Sequence, residues 1–360
     1  MRTFARTVSL KLLLVVCGSF AMCSCAWGQV RDTATQTEGS ITAKDAKALE
    51  DELKTNADNL TARQELISYY FLEALTSKDP AIQEKREKHI FWLIEHYPES
   101  ELAGSPESGI MPMGHSGSAE GFQHGKQLWL QEVEKHPDDR RILRNAGQFL
   151  YLFDGKTGRR LLEKALALDP SDPETASNLA QSYELERVSV SSPEEKTSLA
   201  QKAVSVRERA LENADTEQRF YGLGALAVSA FEAGETSKAQ QYASELLQSA
   251  PKFKKDWNYG NALHEGNVVL GRIALERNDV AGAKEHLLAA GQTPGSPQLD
   301  SFGPDMRLAK ALIEKGEREV VLAYLESCGK FWKMDGGKLQ EWMATIKGGG
   351  TPDFGANLHY

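Results

Sequence analysis

Three short stretches of this sequence have the residue types, but only part of the spacing, of motifs that carry chemistry. "HEGNV" begins at His264 like a zinc-peptidase helix, but that motif needs a second histidine four residues later, where Val268 stands. "DGKTGRR", around Lys156, resembles the end of a phosphate-binding loop, yet Leu150 takes the place of its first glycine. "GHSGS" departs from the nucleophile-elbow pattern because Ser118 replaces the final glycine. The sequence therefore predicts no catalytic residue, no cofactor and no metal site, and a protein that is not an enzyme.

A glycine-rich segment, "GSPESGIMPMGHSGSAEGFQHGK" at residues 104–126, is the strongest competing candidate for a site. It contains six glycines and is longer than the connections that compact helical domains normally use. One interpretation is a disordered or plain linker. The other is a loop that packs back on the protein and offers His115 and His124 to a ligand. The second interpretation carries the alternative function, an enzyme or small-ligand binder whose site is formed by this loop over a helical groove.

The first 28 residues have the pattern of a secretory signal peptide. Arg2, Arg6 and Lys11 precede an apolar run at 12–22, and small residues lead to a cleavage site after Gly28 or two residues earlier. The run is too short for a membrane-spanning helix, which needs about 20 apolar residues. We expect an exported protein, periplasmic or extracellular. A lipoprotein anchored at Cys25 is the alternative, and it would be the only membrane association.

Charge and cysteine content restrict the partners and the chemistry further. The formal net charge is −9, and without residues 1–28 the chain has 39 basic against 51 acidic residues. This acidic balance argues against a nucleic-acid partner, because affinity for phosphate backbones needs a basic excess. Cys328 is the only cysteine after the signal region, so no internal disulfide can form, and its helical spacing from Tyr324 and Leu325 predicts a small buried apolar residue.

The elements that would position any site form a repeating pattern of small and large apolar residues. In "LGRIALERNDVAGAKEHLLAAG", from Leu270 to Gly291, they occupy the seventh, eighth, eleventh, twentieth, twenty-fourth and twenty-seventh places of a unit of about 34 residues. The same places recur in two further stretches, as Leu226, Ala227, Ala230, Ala239, Ala243, Leu246 and as Leu308, Ala309, Leu312, Val321, Leu325, Cys328. Less regular units cover 60–98, 140–170 and 173–211. This pattern resembles the tetratricopeptide repeat family.

The pattern predicts an all-α protein built of helix hairpins stacked into a curved α-solenoid. Small residues at the eighth and twentieth places let paired helices approach closely, and several stacked pairs are needed to bury both faces of each. The fourth-place tryptophan of the family is missing, and irregular linkers interrupt the array. The predicted segments are a signal peptide at 1–28, a polar linker at 29–42, an N-terminal helical region at 43–103, the glycine-rich loop at 104–126, repeats at 127–335 and a C-terminal helix and tail at 336–360.

The resemblance implies a protein- or peptide-binding scaffold or adaptor of the cell envelope. In the family, the first helix of each pair lines a concave groove, and here that register predicts a partner-binding groove made of Arg141, Arg144, Gln148, Asn178, Gln181, Arg272 and Lys310. Some relatives clamp a peptide carboxylate with residues matched by Arg144, Gln148 and Asn178, but Gly224 and Ala225 stand where the clamp continues with a cation. A charged helix face exposed to solvent is the alternative interpretation of the groove residues.

Overall fold

The structure, a computed structural model, describes residues 41–77, 79–113 and 117–358. Four sequence predictions therefore fall wholly or largely outside the described residues: the signal peptide at 1–28, the anchor at Cys25, most of the linker at 29–42, and His115.

The described residues form sixteen α-helices and no strand, which confirms the all-α prediction. No described helix combines the length and the apolar character needed to cross a membrane. The helices are α1 (Ala43–Leu53), α2 (Leu60–Thr76), α3 (Pro80–His96), α4 (Ala119–Lys135), α5 (Arg140–Leu150), α6 (Gly155–Leu168), α7 (Pro173–Ser189), α8 (Pro193–Leu211), α9 (Thr216–Glu232), α10 (Thr236–Ser249), α11 (Tyr259–Glu276), α12 (Val280–Gly291), α13 (Pro297–Phe302), α14 (Arg307–Glu314), α15 (Arg318–Cys328) and α16 (Lys338–Lys347).

Turns between paired helices depend on residues that tolerate a left-handed backbone. Gly234 and Gly316, between α9 and α10 and between α14 and α15, have φ of 75° and 88°, as their positions in the repeat predict. Asn278 joins α11 to α12 with φ of 59°, and the carboxylate of Asp279 then caps α12. Gly155 also stands between two paired helices, where the sequence predicts a left-handed turn glycine. That prediction was wrong, because Gly155 is the first residue of α6 and does not have a positive φ.

Consecutive helices pack as antiparallel neighbours at the predicted places of the repeat. α5 packs on α6, α9 on α10, and α11 on α12. Ala227, Ala239 and Ala309 are completely buried at the eighth or twentieth place. At Gly271 a Cβ would lie 2.3 Å from a methyl carbon of Leu308, so the helix pairs meet where the side chain is smallest.

Contacts divide the described chain into two compact units, 41–182 and 183–358, and the boundary falls inside α7. The core of the first unit surrounds Trp129, Leu143 and Leu150, which are fully buried. In the second unit, Cys328 is fully buried in the core. Burial raises the pKa of its thiol, so the cysteine acts as an apolar residue, as predicted.

The segment at 104–126 does not form one loop, because its last eight residues begin α4 at Ala119. Its described first part packs back on the protein instead of extending as a plain linker. The guanidinium of Arg86, on α3, is buried and donates hydrogen bonds to the carbonyl oxygens of Glu107 and Gly109, the second at 2.7 Å. Ser108 and Ile110 are buried beside it. The loop is thus held by a charge-assisted contact to its backbone.

Candidate functional site

In the first unit, the predicted groove residues are largely engaged with other residues of the protein. Arg144 lies 3.0 Å from a carboxylate oxygen of Glu174 and 3.8 Å from one of Asp172. Burial raises the pKa of Glu174, and Asp172 also raises it, although Arg144 opposes the shift. The guanidinium that was predicted to bind a peptide carboxylate is therefore already held by two carboxyl groups.

The other groove residues of this unit show no common ligand-facing arrangement. Arg141 is exposed to solvent, and Gln148 is half-buried with an amide oxygen that has no hydrogen-bond partner among the described residues. Asn178 and Gln181 are buried, and the amide oxygen of Gln181 accepts a hydrogen bond of 3.0 Å from the hydroxyl of Tyr151. The structure thus gives Gln181 a packing role.

Asn145 is a structural residue that the sequence analysis overlooked. It is buried on α5, next to Arg144, and its amide donates to the carbonyl oxygens of Pro98 and Ser100 at 2.8 and 2.9 Å. Gly104 lies so close that a Cβ there would be 2.2 Å from the Asn145 amide oxygen. Asn145 therefore holds the turn after α3 on α5, and no signal in the sequence distinguishes it from an exposed groove residue.

In the second unit, one carboxylate at the end of α9 gathers three arginines from three other helices. Glu232 forms ion pairs with Arg187 of α7 and Arg272 of α11, each at 2.9 Å, and with Arg307 of α14 at 3.2 Å. Burial would raise the pKa of Glu232, but the three guanidinium groups outweigh burial and hold it below its usual value. Glu232 is therefore ionised at neutral pH. We call Glu232 with these three arginines the arginine network.

Arg272, a predicted groove residue, belongs to the arginine network and is engaged by other residues of the protein. Its guanidinium also lies over the ring of Phe231, 4.1 Å from the ring centre, so it is fixed by stacking as well as by charge. Lys310, the other predicted cation of this unit, is half-buried and lies 3.9 Å from a carboxylate oxygen of Glu314 on its own helix. The two cations therefore pair with different carboxylates, Glu232 and Glu314.

Two further ion pairs lie next to the arginine network, one between α7 and α8 and one at the start of α14. Glu184 of α7 accepts two hydrogen bonds of 3.2 Å from Arg207 of α8, and one of 2.6 Å from the hydroxyl of Ser229 on α9. Asp305, just before α14, receives hydrogen bonds from Arg307, with 2.9 Å between Nε and Oδ2. Burial alone would raise the pKa of Asp305, but Arg307 lowers it below its usual value.

The loop that presents Asp305 is held by its backbone from several sides. Asn357 donates to the carbonyl oxygens of Phe302 and Pro304, each at 3.0 Å, and its own carbonyl accepts from the Met306 amide at 2.8 Å. The Asp305 amide donates to Nε2 of His264 at 3.0 Å. The C-terminal segment and α11 thus fix the position of the Asp305 carboxylate.

His264, which begins "HEGNV", is a buried packing residue in this arrangement. Because its Nε2 accepts a hydrogen bond, its proton is on Nδ1, which donates to the Ala290 carbonyl at 3.2 Å. Burial lowers the pKa of His264, so the ring is neutral at physiological pH. Among the described residues, no group of three or more His, Cys, Asp or Glu side chains is placed to hold a metal ion.

Glu265, the next residue on α11, makes no hydrogen bond or ion pair with a described residue, although Asp305, Arg307 and Arg207 are close enough to act on its charge. Its half-buried carboxyl group lies over Gly224 of α9, where a Cβ would be 1.9 Å from Oε2. Burial and the neighbouring charge of Asp305 raise the pKa of Glu265 to about 7, although Arg307 and Arg207 oppose the shift. The sequence analysis noted that Gly224 stands where relatives have a cationic side chain. It did not predict that the missing side chain leaves room for the carboxyl group of Glu265.

The remaining motif residues have structural roles or lie away from this region. In "DGKTGRR", Gly158 is in close contact with the backbone of α5, and Lys156 is exposed. His124, one of the two histidines proposed for a site at 104–126, is on an exposed face of α4 with its ring edge against Phe91. The described contacts of the 104–113 segment are packing contacts, such as those of Arg86 with its backbone.

Comparison with models of known protein families and with curated proteins found no match to this chain.

Proposed function

We propose that this chain is an exported, non-catalytic scaffold or adaptor of the cell envelope that binds a peptide or protein partner on a TPR-like helical array. The stacked helix pairs form a curved solenoid in this proposal, and the partner lies along the first helices of the pairs in the second unit. The site is therefore centred on Arg272 and its neighbours and not on Arg144.

One observation carries the proposal. Polar side chains from α7, α9, α11 and α14, the first helices of four successive pairs, meet through direct contacts between Glu184 and Ser229 and around Glu232. These contacts bind the four helices to one another through a largely buried polar cluster. Helices fixed in this way are a preorganised support for an extended partner.

Selection from a random peptide library tests binding. Phage-displayed peptides of about 12 residues, presented to purified residues 29–360, should yield a recurring sequence, because a rigid polar face discriminates between side chains. Hydrogen exchange with a selected peptide should show protection of α9, α11 and α14. Enrichment of no sequence, or protection confined to α4 and α5, would contradict the proposed site.

Export is tested by the N-terminus of the protein purified from its native cells. We expect a mature chain that begins at Trp27 or Gln29, because small residues precede both positions. Mass spectrometry of the intact protein measures this directly. A lipid-modified Cys25 would support the anchored alternative, whereas an intact Met1 on a cytosolic protein would refute export.

A further inference from the structure

A cluster of polar side chains joins α1, α2 and α3. His89 of α3 is buried, and its Nδ1 lies 3.3 Å from Nη1 of Arg63, which is buried on α2. The other ring nitrogen, Nε2, lies 3.2 Å from Oε1 of Glu50 on α1. The hydroxyl of Tyr70 on α2 donates to the same Glu50 oxygen at 2.8 Å. His89 therefore connects α1 to the pair formed by α2 and α3.

These contacts determine which nitrogen of His89 carries the proton. A guanidinium group has donors but no acceptor, so Nδ1 of His89 must accept the hydrogen bond from Arg63. Nε2 then carries the proton and donates to the Glu50 carboxylate. The ring can make both hydrogen bonds only while it is neutral. A second proton, on Nδ1, removes the acceptor for Arg63 and places two cations in contact.

Arg63 is held in place by contacts with two other residues. Its Nε and Nη2 donate to the carbonyl oxygen of Ala57 at 3.0 and 2.8 Å. Its guanidinium carbon lies 3.4 Å from the centre of the Trp92 ring, within the range of a cation–π contact. Because the guanidinium is fixed in this way, repulsion from a protonated ring displaces the histidine and not the arginine.

Most of the surroundings of His89 oppose its protonation. The titratable side chains that face it are Glu50 of α1, Arg63 and Tyr70 of α2, and Lys88 of α3. Burial lowers the pKa of His89, and Arg63 and Lys88 lower it further, although Glu50 opposes the shift. A histidine whose pKa is lowered by folding stabilises the folded form above its ordinary pKa of about 6.5, and this contribution is lost as the pH falls below that value.

The attachment of α1 depends on this cluster because the helix buries few of its own residues. Of its eleven residues, Ala46 and Leu53 are buried. Glu50 supplies the side-chain hydrogen bonds from α1 to Tyr70 and His89. Another hydrogen bond, of 2.6 Å, joins Glu52 to Asn59, but it lies at the turn into α2. Loss of a Glu50 contact therefore weakens the attachment of α1 more than that of α2 or α3.

We propose that His89 is an acid-sensitive switch that releases α1 from α2. Protonation of Nδ1 turns the ring away from Arg63, and because both nitrogens belong to one ring, the same movement breaks the contact of Nε2 with Glu50. The surface that is uncovered on α2 includes Leu66 and Tyr70, which belong to the small core beneath α1. This switch lies within the first unit and does not depend on the proposed function.

The test is hydrogen exchange of the purified protein, followed by mass spectrometry, with each rate divided by that of an unstructured reference at the same pH. An ordinary imidazole is about one tenth protonated at about pH 7.5 and about nine tenths protonated at about pH 5.5, so the protection of α1 should fall about tenfold between them. The protection of α5, in the same unit, should stay the same.

His89→Gln removes the titrating group but keeps the hydrogen-bonding groups, because the glutamine amide offers an acceptor to Arg63 and donors to Glu50. In this variant α1 should be equally protected at both pH values. His136→Gln is the matched control, because His136 is an exposed histidine in the turn after α4. With this substitution α1 should lose protection in acid as it does in the wild type.

Three results would overturn the switch: a change of less than about twofold in the wild type, an equal loss in His89→Gln, or a loss of protection throughout the first unit, which is general acid unfolding. If His89→Gln does not fold, nuclear magnetic resonance of the wild-type protein decides. Protonation of the His89 ring should have the same midpoint as the change in the α1 amide signals, and different midpoints would refute the link between them.

Discussion

Glu232→Ala is expected to lower the free energy of unfolding by about 3 to 5 kcal/mol. The substitution removes the carboxylate that pairs with Arg187 and Arg272 and that Arg307 shares with Asp305, and it leaves three largely buried guanidinium groups with Asp305 as the remaining paired carboxylate. Burial lowers the pKa of Arg272, and the charge of Arg307 lowers it further, which shows that these cations already oppose each other. Urea-induced unfolding at neutral pH, followed by circular dichroism, measures the loss.

Glu245→Ala is the matched control for this prediction. Glu245 also accepts hydrogen bonds from an arginine, Arg219, but the pair is single and about one third of each side chain is exposed. Pairs of this kind contribute about 1 kcal/mol or less. Similar losses from Glu232→Ala and Glu245→Ala would mean that the arginine network is worth no more than a surface ion pair.

Gly158→Val is expected to lower the free energy of unfolding by about 3 kcal/mol. A Cβ at Gly158 would lie 2.4 Å from the backbone nitrogen of Tyr151 and 2.5 Å from its Cα. These are main-chain atoms, so no change of rotamer relieves the overlap, and α6 must move away from α5. Thermal or urea unfolding of the purified protein measures the effect.

Gly155→Ala, three residues earlier on α6, is the control. Nothing lies within 4 Å of a Cβ at Gly155, and its backbone is already helical. Alanine should be neutral or stabilise the protein by less than about 1 kcal/mol, because it reduces the freedom of the unfolded chain. If Gly155→Ala lowered the free energy of unfolding as much as Gly158→Val, the close contact at Gly158 would not explain the loss.

The fold could be predicted because its information is local and periodic. Ala227, Ala239 and Leu308 stand at places that depend only on spacing along the chain, and all three are fully buried. The prediction for Gly155 was wrong because a glycine after an aspartate can either end one helix or begin the next, and spacing alone does not distinguish these positions. The helix that begins at Ala119 was missed because glycines and histidines masked an amphipathic pattern that contains Phe122 and Trp129.

The candidate site was largely beyond sequence reasoning because its members meet over long separations. Arg307 and Glu232 are 75 residues apart, and nothing local indicates that they pair. Arg144 and Arg272 lie on the first helices of their pairs, as the register predicts. The carboxylates that pair with them come from other helices, and sequence spacing does not show whether such a partner is present. Gly224 was the useful signal, because a glycine at a place where relatives have a cation leaves room for a side chain from the next pair.

Asn357 makes the support of the Asp305 loop depend on a residue that is synthesised well after the loop itself. The backbone around Asp305 depends on three hydrogen bonds to this residue, which a ribosome adds more than fifty residues after it has made the loop. During synthesis, and during threading through a membrane in an exported chain, the helices of the second unit can form while the Asp305 carboxylate still lacks its support. If the proposed partner needs this loop in place, it meets a competent protein only after Asn357 has emerged from the ribosome.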